Sequence, residues 1–277
     1  MTVLTTKSSL PQSIAVLGGA GRAPTLPPHL AALTDSHIGA TPFGSLIAAF
    51  AATPYERLAV DVGYVEAAQR AASEGARAIF IDSFADYGIA AMRAVLPIPI
   101  VGAGEAALEA AAAGHRRYAI VTVWPQSMAF LYEERLRMMP AGAGCVDVIH
   151  VSPETELERL TSDAGVMQRM ARREDAIVAQ LVDVCEQVAK SRGVDAIVLG
   201  CTCMAPIGPA IQARVDIPII EPSRVGFQAA IEAVRRGDRH DIVVAPSRRS
   251  LISDLVAGAP LAKSEEACPV CIVTAPT

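Results

Sequence analysis

The chain reads as an α/β protein of two pseudo-symmetric domains, each a parallel sheet flanked by helices, with the active site in the cleft between them. Three observations predict this. Short apolar blocks alternate with helical stretches along most of the 277 residues, the order that a parallel sheet with crossover helices requires. The strand-like blocks, such as Ala78–Ile81 and Ala196–Leu199, are apolar throughout rather than alternating, as strands covered on both faces are. The chain also repeats itself. Gly75-Ala-Arg-Ala-Ile-Phe-Ile-Asp-Ser83 and Gly193-Val-Asp-Ala-Ile-Val-Leu-Gly-Cys201 run from a glycine to a hydroxyl or thiol with the same spacing, and Leu96-Pro-Ile-Pro99 follows the first copy as Val215-Asp-Ile-Pro218 follows the second. Such self-similarity marks an internal duplication.

The elements follow in order. Ser13–Leu17 is an opening strand, ending in the turn Gly18-Gly19-Ala20-Gly21. Apolar spacing predicts a helix over Asp61–Ser73, then the strand Ala78–Ile81 ending at Ser83. A short helix over Ile89–Val95, a strand over Ile98–Val101 and an Ala-rich helix over Glu105–Ala113, stopped by Gly114, complete the first run. The alternation resumes with a strand over Tyr118–Val123, a helix over Ser127–Met138, a strand over Val146–His150 and one long helix over Met167–Lys190. Ala196–Leu199 then leads into Cys201, Ile217–Ile220 is the last clear strand, and Gly226–Arg236 is a helix. A break near Gly114–Arg117 divides the chain. Because Ile242–Ala245 can return to the first half, the first domain is expected to comprise residues 1–114 plus 225–277 and the second residues 115–224, with a poorly ordered tail from Ala257.

Composition bounds the partners. A formal charge of −5 with mixed signs offers no footprint for nucleic acid, and no apolar block approaches the roughly 18 to 20 residues of a membrane span. Met1–Gln12 carries no signal-peptide pattern. The expectation is a cytoplasmic protein, assembled as a homo-oligomer, acting on a small molecule. Six cysteines in such a chain argue for thiols before disulfides, with Cys145 and Cys185 as buried apolar side chains.

Chemistry concentrates at the duplicated ends. A βα unit puts the loop after its strand on the ligand-binding edge of the sheet, so two facing units direct Ser83 and Cys201 into one cleft. Cys201 follows a buried strand and precedes Pro206, a residue suited to a helix start, where amides stabilise a thiolate and lower its pKa below the reference of about 8.5. The alternative is a buried structural cysteine. Strand and turn geometry is expected to aim only one of Cys201 and Cys203 at any one point, leaving Cys203 the lesser thiol.

Ile81-Asp-Ser83-Phe84-Ala-Asp86-Tyr-Gly88, Ile98-Pro-Ile-Val-Gly102-Ala-Gly-Glu105-Ala-Ala107 and Leu199-Gly-Cys201-Thr-Cys-Met204 resemble the aspartate/glutamate/hydantoin racemase superfamily, most of all its hydantoin racemase branch, over most of residues 13–236. The resemblance implies two pseudo-symmetric α/β domains, no cofactor, and two facing cysteines that exchange a proton at a substrate carbon. Cys201 matches the second-domain cysteine, and Ser83 occupies the place of the first. A serine hydroxyl is a far weaker acid than a thiol and does not ordinarily deprotonate a carbon acid at neutral pH. Three readings stay open: an engineered replacement of cysteine, a racemase in which Ser83 or a neighbour serves one face, or a one-sided enzyme like the arylmalonate decarboxylases, whose single cysteine protonates an enediolate. The resemblance further implies that Thr122 and Trp124 line the pocket, Trp124 alternatively being core. Where hydantoin racemases carry an Asn-Pro-Asn-Thr-type loop this chain has Gly18-Gly-Ala-Gly21, whose amides remain able to bind an anion. Phe84, Ala85 and Thr202, next to the two reactive positions, offer amides for an oxyanion.

The expected activity is thus a cofactor-independent racemase or epimerase acting on a carbonyl-activated carbon acid such as a 5-substituted hydantoin, with decarboxylation by Cys201 as the alternative. Two rivals use the same residues otherwise. Gly102-Ala-Gly104-Glu-Ala-Ala107 fits a dinucleotide fingerprint, but the following strand ends in Thr122-Val-Trp124 instead of a ribose-binding acid. Cys201, Cys203, Cys268 and Cys271 suggest zinc, without the usual paired spacing. A third rival is a binding module in which Ser83 and Cys201 only line a pocket. Glu221 is expected to cap the helix after the last strand.

Overall fold

A computed structural model of the chain describes residues 12–160 and 162–258. The first run contains β1 (Gln12–Gly18), α1 (Pro28–Ala31), β2 (Ile38–Gly44), α2 (Pro54–Ser73), β3 (Ala78–Ile81), α3 (Ile89–Val95), β4 (Ile100–Gly102) and α4 (Ala103–Ala112). The second contains β5 (Tyr118–Thr122), α5 (Ala129–Met138), β6 (Cys145–His150), α6 (Val166–Ala171), α7 (Asp175–Arg192), β7 (Ala196–Leu199), α8 (Gly208–Gln212) and β8 (Ile219–Ile220). Helices α9 (Pro222–Arg236) and α10 (Leu251–Ala257) follow.

The strands form two four-stranded sheets, ordered β2-β1-β3-β4 and β6-β5-β7-β8, with every pairing parallel. The identical order makes β3 the counterpart of β7, and Ser83 and Cys201 each stand two residues past the end of those strands. The glycines that open the two repeats have a conformational reason. Gly75 and Gly193 close α2 and α7 at φ 95° and 60°, the left-handed region where a side chain is strained.

Period-two alternation sorts the first sheet's side chains. Ile14, Val16, Ala78 and Phe80 pack with Leu30 of α1 and with Phe227, Ala230 and Ile231 of α9. Ala15, Leu17, Ile79 and Ile81 face Val60, Tyr64, Ala68 and Ala71 of α2 and Met92 of α3. Continuing that alternation puts Ser83 on the α2 side and Asp82 on the α9 side. In the second half one core joins β5 and β7 to Leu131 and Tyr132 of α5 and Ile177, Leu181 and Cys185 of α7. The Ala-rich α4 bridges the halves: Ala103 packs in the first core, while Ala107, Leu108 and Ala111 belong to the second.

Several element boundaries differ from the sequence expectation. The edge strand β2 was not expected, because Ile38-Gly-Ala-Thr-Pro42-Phe-Gly44 lacks alternation and holds a proline, which only an edge position tolerates well. Helix α2 begins at Pro54, ahead of the apolar spacing: the Thr53 hydroxyl accepts from the Glu56 amide at 3.3 Å and donates to its carboxylate at 2.9 Å, a side-chain N-cap with proline at the first position. The single helix expected over Met167–Lys190 is two, α6 and α7, separated where Arg173 takes φ 54°. Ile242–Ala245 forms no strand; the Val243 amide donates to the Ala94 carbonyl at 3.1 Å. Glu221 is the residue before α9 but makes no capping hydrogen bond. Most of the tail expected to be poorly ordered, and all of Met1–Pro11, lie outside the described residues.

Candidate active site

A cavity of about 80 Å³ opens where the C-terminal ends of the two sheets meet. Ser83, Phe84 and Ala85 line it from the first sheet, and Trp124, Gly200, Cys201 and Thr202 from the second. Its remaining wall is largely apolar, with Phe50 from the loop before α2, Val60 and Tyr64 of α2, Tyr87, and Met128, Leu131 and Tyr132 beside or on α5. The two strand-end loops are joined directly, since the Thr202 hydroxyl donates to the Asp82 carbonyl at 3.1 Å. Side chains add further links between the halves. Arg57 of α2 donates to Glu134 of α5 at 2.6 Å, and Arg135 approaches buried Asp86 at 3.7 Å.

The backbone after β7 sets the position of Cys201. Cys201 is extended, and Thr202–Met204 form a 3-10 turn in which the Cys203 amide donates to Cys201 Sγ at 3.1 Å. Pro206 therefore lies beyond that turn and outside the helix, which begins at Gly208; the amide facing the sulfur comes from the turn itself. The structure corrects the expectation that only one of these two thiols can be aimed at any one point, and, for this pair, the preference for free thiols. The turn curls Cys203 back, and Cys201 and Cys203 are joined as a disulfide. Cys185 is free and fully buried, with burial pushing its thiol up to about 12. Cys145 is free and half-buried, pushed up to about 11 chiefly by desolvation.

Two residues expected at the substrate stand back from the cavity. Thr122 is fully buried; its hydroxyl meets the Tyr132 hydroxyl at 2.5 Å and accepts from the Trp124 amide at 3.2 Å. Tyr132 in turn donates to the Gly200 carbonyl at 2.9 Å, so Thr122 holds the wall in place from behind. Gly18 lies beneath the Arg22 side chain, which a Cβ there would strike, while Gly19 reaches the cavity. Trp124 combines the two roles left open for it, being 5% exposed, on the cavity wall and against the Phe50 ring at 5.3 Å. On the other loop the Ala85 amide donates to Ser83 Oγ at 3.4 Å.

Asp82, unforeseen at the site, carries a partly buried polar network on the α9 side. Its carboxylate accepts from Arg22 at 2.9 Å and from the Ser223 hydroxyl at 2.9 Å, and Ser223 Oγ meets His29 Nε2 at 3.1 Å. Burial lowers the His29 pKa, the nearby Asp82 charge opposing it. The glycines of the dinucleotide-like stretch serve packing. A Cβ on Gly102 would strike the Asp86 carboxylate and one on Gly104 the Phe84 carbonyl. The Gly104 and Glu105 amides at the start of α4 donate to Asp86 at 2.9 and 2.7 Å, filling the positions a phosphate would use. Among the described residues no cluster of histidine, cysteine or acidic side chains is arranged for a metal; Cys268 and Cys271 lie outside them. No described helix is long and apolar enough to cross a membrane.

Phe50 and Tyr64, remote in sequence from both strand ends, and Tyr87, four residues past Ser83, were not foreseen at the wall. Tyr64 had one available signal, its spacing of four from Val60 on the helical face that meets the strand ends. Phe50 lies in a loop with no pattern to mark it.

Comparison with known proteins agrees with this architecture. Residues 24–230 match the model of the Asp/Glu/Hydantoin racemase family. A hydantoin racemase of Pseudomonas sp. (strain NS671) is 25% identical over 177 residues, 64% of this chain and 66% of that protein. One from Rhizobium meliloti is 27% identical over 161 residues, 58% and 59% of the two chains; both matches span just under two thirds or less of the relatives' length. The fold resembles that of allantoin racemase from Pseudomonas fluorescens, with TM-score 0.66 and 18% identity over 83% of this chain and 93% of that one. It also resembles a mutant of arylmalonate decarboxylase, with TM-score 0.57 and 20% identity over 81% and 92%. The two like-ordered parallel sheets, the duplicated strand ends and the match over residues 24–230 lead to one assignment: this chain belongs to the Asp/Glu/hydantoin racemase family.

Proposed function

We propose that the protein is a cofactor-independent racemase or epimerase of a small carbonyl-activated carbon acid, with the Cys201 thiol as its principal proton carrier. The observation that carries this reading is the placement of Ser83 and Cys201, from equivalent points of two like-ordered sheets, on the wall of one cavity. A carbon flanked by carbonyl groups loses its hydrogen as a proton because the resulting charge spreads onto oxygen. Once Cys201 is reduced, its thiolate takes that proton, and the Cys203 amide at 3.1 Å favours the charged sulfur. The strand-end loops supply amides near Ser83 and Thr202 for the developing oxyanion. The Ser83 hydroxyl, a far weaker acid than a thiol, is poorly matched to removing a proton from carbon at neutral pH, so exchange on its face is expected to be the slower of the two. The aromatic walls, Phe50, Tyr64, Tyr87 and Trp124, favour a substrate with an apolar substituent, such as a 5-substituted hydantoin bearing an aromatic group.

Ser83 also favours a second reading, in which Cys201 alone protonates an enediolate after carbon dioxide leaves, the activity named for the arylmalonate decarboxylase of similar fold. One experiment separates the two. The reduced protein is given single enantiomers of aromatic hydantoins and, separately, arylmalonates, with chiral chromatography and carbon dioxide release followed together. Conversion of hydantoin enantiomers without carbon dioxide release from the malonates supports the racemase; the reverse supports the decarboxylase. Neither activity, with saturable binding, would leave a binding module.

A further inference from the structure

Cys201 shares its turn with a second sulfur. The disulfide to Cys203 spans a single intervening residue, with Cα atoms 5.1 Å apart, inside the range that a disulfide bridges. The backbone prepares the encounter: the extended Cys201 and the 3-10 turn after it bring the Cys203 amide to 3.1 Å from Cys201 Sγ. Both cysteines are buried and belong to the second core, but only Cys201 lines the cavity. One sulfur therefore meets whatever enters, and the other waits behind it. The remaining described cysteines stand elsewhere, Cys185 on α7 and Cys145 at the start of β6.

We propose that Cys201 and Cys203 form a reversible oxidation site for small hydroperoxides, Cys203 acting as a resolving thiol that switches the enzyme off and protects Cys201. The switching role rests on the reading of Cys201 as the proton carrier. The Cys201 thiol loses its proton, and the thiolate attacks one oxygen of hydrogen peroxide; the O–O bond breaks, the sulfur becomes a sulfenic acid, and the departing hydroxide takes up that proton as water. The Cys203 thiol then attacks that sulfur, the S–S bond forms, and the departing hydroxyl takes the thiol proton as a second water. In sum two thiols lose two electrons and two protons, and one peroxide becomes two waters. A dithiol reductant reverses this through two thiol–disulfide exchanges. A sulfur held in the disulfide has no proton to give and no thiolate to receive one.

The test treats the reduced full chain and its Cys203→Ser variant with hydrogen peroxide, then with dithiothreitol. Intact mass, alkylation of each cysteine and substrate exchange are measured at each stage, and each protein is referred to its own reduced activity. In the parent, mass should fall by two hydrogens, Cys201 and Cys203 should together lose reactivity toward iodoacetamide, and exchange should drop at least about tenfold and return with reductant. The variant should instead gain oxygen at Cys201 and, after excess peroxide, pass to the sulfinic acid, with at least about tenfold less activity recovered than the parent. Equal recovery in both proteins, or an oxidised parent that keeps its exchange activity, would overturn the switch. If the reduced parent has no exchange activity, the proposed function fails, while mass and alkylation still decide whether the pair forms and protects Cys201.

Discussion

Ser83 is the residue on which the chemistry turns. It holds the same place after β3 that Cys201 holds after β7, yet a hydroxyl supplies almost no anion at neutral pH, whereas a thiol with a reference pKa near 8.5 supplies a usable fraction. Ser83→Cys is therefore expected to raise racemisation of the reduced protein at least about a hundredfold, the lower end of what a well-placed acid–base group contributes. Chiral chromatography with each enantiomer, beside deuterium exchange, measures it. If Ser83→Ala and the parent both racemise fast, another group serves that face, and Asp82, with its link to Ser223 and His29, becomes the first to test. These two strand-end positions were legible in the sequence because duplication marks them. The disulfide was not. Cysteines two apart on a fully extended strand share a face with Cα atoms about 6.6 Å apart, at the far edge of what a disulfide spans, and the 3-10 turn after Cys201 shortens that distance to 5.1 Å.

At the scale of elements, the start of α4 shows how the loop after Ser83 is held. Asp86 is fully enclosed, accepts from the Gly104 and Glu105 amides and lies 3.7 Å from Arg135. Desolvation first, then the Glu105 charge, raise its pKa from 3.8 to about 7, with the two amides and Arg135 opposing. A carboxyl whose folded value is raised favours the fold when protonated. Its contribution is complete below pH 3.8 and is lost as pH rises through about 7. D86N cannot ionise, so the stability of the parent relative to D86N should fall steadily across that interval, read as urea midpoints at a series of pH values. A constant difference would mean that Asp86 does not titrate there. The strands β1, β3, β5 and β7 were legible as apolar runs because both faces of each sheet are covered. The edge strand β2, the N-cap of α2 and the break at Arg173 depend on pairing, a hydroxyl and one backbone angle, none of which alters hydrophobic periodicity.

For the whole molecule, function depends on two sheet edges meeting. The Thr202–Asp82 hydrogen bond, the Arg57–Glu134 pair and the shared helix α4 hold those edges together, and the cavity exists only where they do. Equal sheet order was foreseeable from the repeat. Most of the aromatic wall was not, because Phe50, Tyr64 and Tyr87 come from a loop, a helix and a turn that only the folded chain brings to one place. The proposed activity requires Cys201 to move the proton in that cavity. The direct measurement is deuterium entry at the stereocentre of an aromatic 5-substituted hydantoin in heavy water, comparing the reduced parent with Cys201→Ala. Loss of a general acid–base group predicts exchange at least about a hundredfold slower in the variant; equal rates in the two proteins would contradict the assignment.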